Sequence, residues 1–231
     1  MRVFALIAAA MAFSTPALHA ADLPAPPTFE DPASPPADFD WTGFYLGLHA
    51  GYGFGTTDMS VTDGGGFSTD YDIDGWLGGA QAGYNHQFGS SGMWLIGIEG
   101  DIALTGIEGS YSDTAAFDER ATTEIDWLAT VRARAGWVNG RYMPFITGGI
   151  AFAGVDHRIG PTGLTGPVST SDVLLGWTIG GGLEAMIDPS WSAKLDYLYV
   201  DLEDVDFTTA GGTGTFENSV HLFRLGVNYQ F

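Results

Sequence analysis

The 231 residues carry 28 acids against 8 bases, a formal charge of −20, with 34 glycines and no cysteine. That acidity argues against a nucleic-acid partner, which needs a basic face. The missing cysteine excludes disulfide scaffolds, Cys-ligated zinc, iron–sulfur clusters and thiol catalysis. With 45% hydrophobic and 13% aromatic residues the chain is too apolar for disorder, so its glycines belong inside structure, where they mark bends, bulges and close backbone approach.

In chain order, Met1 and Arg2 form a short positive start, Val3 to Phe13 is an unbroken apolar run, and small residues follow at Ala17, Ala20 and Ala21. This is the layout of a secretory signal peptide. The run is too short for a transmembrane helix, which needs ~20 apolar residues. Cleavage is expected after Ala20, so residues 1–20 form the signal, and its loss would leave 7 bases, 28 acids and a charge of −21. Residues 21–40 hold Pro24, Pro26, Pro27, Pro32, Pro35 and Pro36. Proline fixes φ and removes a backbone donor, so this stretch reads as an extended periplasmic linker. The remainder, 41–231, is expected to be one domain.

Within that domain helical periodicity is poor and period two fits. Phe44, Leu46, Leu48, Ala50, Tyr52 and Phe54 alternate with Tyr45, Gly47, His49, Gly51 and Gly53. The same alternation recurs in Trp76–Phe88, Trp94–Leu104, Ile125–Trp137, Ile146–Phe152, Val173–Ala185, Trp191–Tyr199 and Phe223–Phe231. Eight strands of roughly 10–13 residues follow. Tight turns join alternate pairs at Gly89–Gly92, Asn139-Gly140-Arg141 and Asp188-Pro189-Ser190, Asn-Gly being the strongest short hairpin signal. Long polar loops are expected near 56–74, 106–124, 156–171 and 201–218. Short turns on one side and long loops on the other describe an outer-membrane barrel, periplasmic at both termini. The fold class is thus all-β: an eight-stranded antiparallel up-and-down transmembrane β-barrel.

A soluble eight-stranded barrel would turn its apolar face inward; a membrane barrel turns it outward. Tryptophan placement separates the two. Trp41, Trp94, Trp137 and Trp191 fall at the short-turn end, and Trp76, Trp127 and Trp177 at the loop end. Two aromatic belts at opposite rims match two membrane interfaces. The polar face then lines the lumen. It carries Glu99, Asp101, Arg132, Arg134, Glu184, Lys194, Asp196 and Arg224, four acids and four bases. In a low-dielectric lumen such charges persist only when paired, and an eight-stranded barrel is just wide enough for side chains to fill. A plugging salt-bridge network is the expected arrangement. A narrow pore gated by exchange of ion-pair partners is the alternative.

The chain ends on Phe223, Leu225, Val227, Tyr229 and Phe231 at period two. A last strand ending Tyr229-x-Phe231 resembles the signal read by the barrel assembly machinery. Added to it are Trp41-Thr42-Gly43-Phe44-Tyr45-Leu46-Gly47, Gly78-Gly79-Ala80-Gln81-Ala82-Gly83-Tyr84-Asn85, Thr130-Val131-Arg132-Ala133-Arg134-Ala135-Gly136, Asp196-Tyr197-Leu198-Tyr199-Val200-Asp201-Leu202 and the start Ala21-Asp22-Leu23-Pro24. Together they resemble the outer-membrane immunogenic-protein family of Gram-negative bacteria, small porin-like barrels similar to the OmpA membrane domain. The resemblance implies residence in the outer membrane, contact with its lipid and lipopolysaccharide, and a surface antigen. It implies an envelope-integrity and surface-interaction role, with a narrow porin, or a receptor for haem or a host ligand, as alternatives. No motif here carries haem binding over, and no cofactor is expected.

Other candidate chemistry is weak. Asp70-x-Asp72-x-Asp74-Gly75 looks like half a calcium loop, but its twelfth position is Gln81 instead of Glu. Acidic loops, including Asp201, Glu203, Asp204 and Asp206, leave cation capture or an extracellular ligand open. The histidines are scattered, with none of the spacings of a metal site. Acids ionised beside arginines do not suit a catalytic carboxylate pair, and no serine, histidine and acid are placed together by sequence. The expectation is no metal and no enzyme.

Overall fold

A computed structural model describes residues 39–61, 67–89, 92–113, 119–159, 168–209 and 212–231. The signal peptide and nearly all of the proline-rich linker lie outside the described residues. Eight strands follow in order: β1 (Gly43–Val61), β2 (Phe67–Phe88), β3 (Trp94–Asp113), β4 (Glu119–Trp137), β5 (Tyr142–Ile159), β6 (Val168–Met186), β7 (Trp191–Thr209) and β8 (Gly212–Gln230). Each pairs antiparallel with its sequence neighbour, and β1 pairs with β8, so the sheet closes into a barrel. Closure leaves no strand edge, which is what a sheet surrounded by lipid requires.

The short turns lie where the sequence put them. The Gly92 amide donates to the Gly89 carbonyl, and Asn139 and Tyr142 bridge around Gly140. Gly140 has φ +60°, the left-handed conformation that the Asn-Gly hairpin needs. In the third turn Asp188 Oδ1 accepts from the amides of Ser190 and Trp191 at 2.8 and 2.9 Å.

The strands are longer than the apolar alternation implied, at 18 to 22 residues. Most of what reads as long polar loops is continued ladder: β1 and β2 stay in register out to Val61↔Phe67, and β4 and β5 out to Ala121↔Ile159. Apolar alternation stops where lipid stops, whereas backbone pairing continues beyond it, so the hydropathy pattern marks only the membrane-spanning part of each strand.

Large apolar side chains cover the outer wall, among them Phe44, Leu48, Ile98, Leu104, Ile146 and Leu225. A water-soluble protein does not expose an apolar surface of this kind; a bilayer solvates it. Trp76, Trp94, Trp137, Trp177 and Trp191 are exposed on that wall. Trp127 is half-buried, its indole lying against Gly154, where an added Cβ would collide with the ring.

Trp41 departs from the belt. It is only 1% exposed and packs with Leu95, Val138, Met143, Phe145 and Met186 inside the short-turn end of the barrel. Its indole N–H donates to the Gly140 carbonyl at 3.3 Å, and its amide donates to Gln87 Oε1 at 3.0 Å. It precedes β1, so strand alternation does not govern its direction. The chain folds it inward to cap the barrel.

Pairing register also slips at three places, between Leu104 and Ile107 in β3, Ile125 and Trp127 in β4, and Leu202 and Val205 in β7. A bulge inserts a residue and reverses the face of everything beyond it. The extra residue Asp126 reverses β4, so Ile125, expected outside, points inward, whereas Ile107 keeps the inward phase that Glu99, Asp101 and Ala103 set in β3.

Candidate functional site

The lumen is built in three layers. The middle layer holds the charged residues. β3 supplies Glu99 and Asp101, β4 supplies Arg132 and Arg134, β6 Glu184, β7 Lys194 and Asp196, and β8 Arg224, all of them buried. Spacing by two puts each pair on one face of its strand. Register sets them side by side: Glu99 faces Arg132, Glu184 faces Lys194, and Asp196 faces Arg224.

Glu99 sits at the hub. Its carboxylate accepts from Arg132 Nη2 at 2.5 Å, Arg134 Nη1 at 3.3 Å, Lys194 Nζ at 2.9 Å and the Tyr45 hydroxyl at 2.6 Å. Asp101 accepts from Arg132 Nη2 at 2.7 Å, Arg224 Nη1 at 3.0 Å and the Thr130 hydroxyl at 2.6 Å. Asp196 takes Arg224 in a two-pronged bond at 3.1 and 2.6 Å, with Lys194 Nζ 3.7 Å away and Arg132 Nη1 3.9 Å away. Glu184 accepts from Arg134 Nη2 at 2.9 Å, Ser192 Oγ at 2.6 Å and Asn228 Nδ2 at 2.7 Å. The Arg134 guanidinium also lies over the rings of Tyr45 and Phe145, 5.1 and 5.2 Å from their centres. All eight predicted charges are therefore brought together, each with an opposite partner, in a set that sums to zero.

Several members were not singled out by charge: Tyr45, Gln81, Thr130, Ser192 and Asn228. Gln81 accepts from Lys194 Nζ at 2.9 Å and donates to Asn228 Oδ1 at 2.5 Å. Their signal is positional, since each occupies an inward site of the same alternation. His49 is buried in this layer, and neither ring nitrogen has a hydrogen-bond partner.

The layer towards the long-hairpin end is apolar. Leu77, Ile107, Ile125, Leu128, Leu174, Leu198, Val200 and Leu222 fill it together with Ile73, Ala151 and Val155. Reversal at Asp126 adds Ile125, but most of this hydrocarbon-like core is apolar residues on the inward phase itself, among them Leu77, Ile107, Leu128 and Leu174, and Leu198, Val200 and Leu202 from the stretch Tyr197–Leu202, whose two faces are both largely apolar. On the opposite side of the charged layer lies the Trp41 cluster. Side chains stacked in this way leave the charged layer closed from both ends.

Asp70, Asp72 and Asp74 are exposed at alternate positions of strand β2. They share one face of an extended ladder, which removes the turn that a calcium loop needs. Among the described residues no cluster of three or more histidines and acids has the geometry of a metal site. The Phe231 ring is 77% exposed, stacks edge-on against Tyr229 at 5.2 Å, and the Phe231 amide donates to the Phe44 carbonyl at 3.0 Å. The terminal aromatic pair therefore sits at the seam where the first and last strands meet.

Residues 5–231 match the family model described as outer membrane protein beta-barrel domain. The 31 kDa outer-membrane immunogenic protein of Brucella melitensis is 34% identical over the full length of both chains. The 25 kDa outer-membrane immunogenic protein of Brucella canis is 28% identical, with 97% of this chain and 95% of the relative covered. The crystal structure of OprG from Pseudomonas aeruginosa superposes with a TM-score of 0.51 at 10% identity, covering 84% of this chain and 98% of that one, a likeness of fold. The chain belongs to the outer-membrane β-barrel protein family and resides in the bacterial outer membrane.

Proposed function

We propose that this member of the outer-membrane β-barrel family is a closed barrel whose work is structural: it stiffens the envelope and presents an acidic surface outward. The observation that carries this reading is the stacking of the lumen. An apolar layer seals the charged layer on the outer side, and the Trp41 cluster seals it on the periplasmic side. An ion crossing would have to displace both and also break a balanced salt-bridge set in which each carboxylate holds two or more protein donors. A constitutive pore instead leaves a hydrated path.

The partners this reading requires are the outer-leaflet lipopolysaccharide, the periplasmic-leaflet lipid, and the assembly machinery that would read Tyr229 and Phe231. The immunogenic names of the relatives support surface presentation. The role expected for the charge network is to lock the strands to one another through the lumen.

Planar-bilayer recording of the refolded barrel tests the proposal. The expected record has no stable openings in the full chain and none in Glu99→Ala. Discrete openings in the full chain, altered by Arg132→Ala or Glu99→Ala, would establish the pore in its place.

A further inference from the structure

The lipid-facing wall is not evenly filled. Register lines up Tyr84, Ile98, Ala133, Gly148 and Ile179 across β2 to β6. The next row toward the short turns is His86, Ile96, Ala135 and Ile146. Where Ala133, Ala135 and Gly148 stand among isoleucines, the wall is hollowed into an apolar groove of about 800 Å³. A second hollow of about 310 Å³ shares Ala135 and Ile146 with it and runs on to Trp94, Trp137 and Pro144. Val131 and Ile150, paired and exposed one row farther toward the membrane midplane, end the groove there.

Its length fits one leaflet. From Trp137 to Val131, β4 covers six residue steps, roughly 20 Å along the strand at about 3.3 Å each and roughly 15 Å along the membrane normal at a tilt of about 40°. A hydrocarbon core about 30 Å thick has leaflets of that depth. The groove starts between Trp94 and Trp137 at the periplasmic rim, so the leaflet it spans is the periplasmic one.

Two polar observations bear on the occupant. His86 lines the flank of the groove, exposed on the lipid-facing wall one row inside Trp94, and makes no hydrogen bond to another described residue. A ring N–H turned into lipid costs free energy unless an acceptor meets it, and the ester oxygens of a phospholipid lie just inside its headgroup. Charge points the same way. Of the eight bases, Arg132, Arg134, Lys194 and Arg224 are buried in the lumen, Arg120 and Arg158 lie toward the long-hairpin ends of β4 and β5, and Arg2 belongs to the expected signal peptide. Arg141 is left, exposed, in the periplasmic turn joining β4 to β5, the two strands that floor the groove. Its guanidinium lies over the Phe39 ring, 5.6 Å from the centre, so its charge acts on a headgroup through the field at the membrane surface and not by contact.

We propose that this groove binds an anionic phospholipid of the periplasmic leaflet. One acyl chain lies over Ala133, Ala135 and Gly148, between the flanking isoleucines, and ends against Val131 and Ile150. An ester oxygen accepts from the His86 ring. The headgroup sits at the level of Trp94 and Trp137, where the Arg141 charge selects an anionic lipid over a zwitterionic one. The site is on the outside of the barrel and holds whether or not the lumen conducts.

The test is native mass spectrometry of the full barrel, released from octyl glucoside micelles holding equal amounts of dioleoylphosphatidylglycerol and dioleoylphosphatidylcholine. One retained lipid per barrel is expected, the anionic one favoured about fivefold, the worth of one cation near a charged surface. Arg141→Gln should abolish the preference and Arg141→Lys should keep it. His86→Phe should weaken retention of both lipids about threefold or more and leave the preference intact, as loss of one hydrogen bond requires. Ala135→Leu/Gly148→Leu fills the groove with apolar side chains, and at Gly148 an added Cβ comes no nearer than 3.4 Å to another atom; retention of both lipids should fall at least about tenfold. Ala193→Leu makes the same change at an exposed position two residues from Trp191, outside the groove, and should retain lipid as the parent does. Undiminished retention in the filled variant, equal loss in Ala193→Leu, or an unchanged preference in Arg141→Gln would overturn the site. Equal retention of glycerol 3-phosphate, the head without its chains, would overturn the lipid in favour of a free phosphate. A paired barrel that Ala135→Leu/Gly148→Leu separates would overturn it in favour of a second copy of the chain.

Discussion

Replacing Glu99 by Gln perturbs the lumen at its most connected point. The carboxylate holds Arg132 at 2.5 Å, Lys194 at 2.9 Å and Arg134 at 3.3 Å, together with the Tyr45 hydroxyl. The amide keeps the volume and one acceptor oxygen but removes the charge, so the eight-residue set passes from neutral to +1. Each of these cations retains an acid: Asp101 at 2.7 Å and Asp196 at 3.9 Å for Arg132, Glu184 for Arg134 at 2.9 Å, and Asp196 for Lys194 at 3.7 Å. Lys194 is left with no acid nearer than 3.7 Å, and it is the ion that becomes undercompensated. Breaking a buried pair from one side typically costs about 3–5 kcal/mol, and that is the expected loss in Glu99→Gln. Lys194→Met alone should cost a similar amount, because it takes the set to −1 and removes one of the three cations that hold Glu99. The double variant restores neutrality and should cost less than the sum of the two by about 1–3 kcal/mol, the range for coupled neighbours. Urea unfolding in lipid vesicles, followed by the gel mobility of unboiled samples, measures all three. A Glu99→Gln loss below about 1 kcal/mol, or strict additivity in the double variant, would refute the idea that the charges stabilise one another.

Three further outcomes follow from the packing. Trp41→Ala should destabilise the barrel by about 3–5 kcal/mol, as truncation of a buried aromatic does; brominated lipid should quench a variant retaining only Trp94 or Trp137 strongly and one retaining only Trp41 weakly. Gly83→Ala places a Cβ against the Tyr45 ring and hydroxyl and the Ile98 carbonyl; crowding of this kind costs about 1–3 kcal/mol, and Tyr45→Phe in the same background should recover part of it in the same unfolding assay. Deleting Phe231 should lower the yield of folded protein in the outer membrane several-fold while leaving refolding into detergent in vitro near normal, read by heat-modifiable gel mobility.

The membrane wall was legible because lipid imposes a strict rule: every second residue of a spanning strand must be apolar, and Phe44–Phe54 and Phe223–Phe231 obey it without exception. The eight lumen charges were legible for the same reason, being the ionisable residues on the opposite phase. What stayed hidden depends on where the phase breaks. At Asp126, which has no opposite residue on β5, one extra residue turns Ile125 inward, and nothing in the composition of that stretch announces it. Leu198, Val200 and Leu222 alternate with Tyr197, Tyr199 and Phe223, so both faces are apolar and period two carries no sign. Trp41 was misplaced because it sits outside the strand whose alternation would have oriented it.

The length of the strands has a consequence for what this protein tolerates. At about 3.3 Å per residue and a tilt of about 40°, a 19-residue strand such as β1 spans roughly 48 Å along the membrane normal, against an apolar band of about 25 Å. The surplus is carried outward as hydrogen-bonded hairpin and separates the tips from the packed lumen by several rungs. Lengthening a tip then costs mainly loop-closure entropy, about 0.6 kcal/mol per doubling. Substitution and insertion at the tips therefore leave the lumen packing untouched, and a lineage under immune pressure could rewrite its outermost residues without renegotiating the stability of the barrel that holds them.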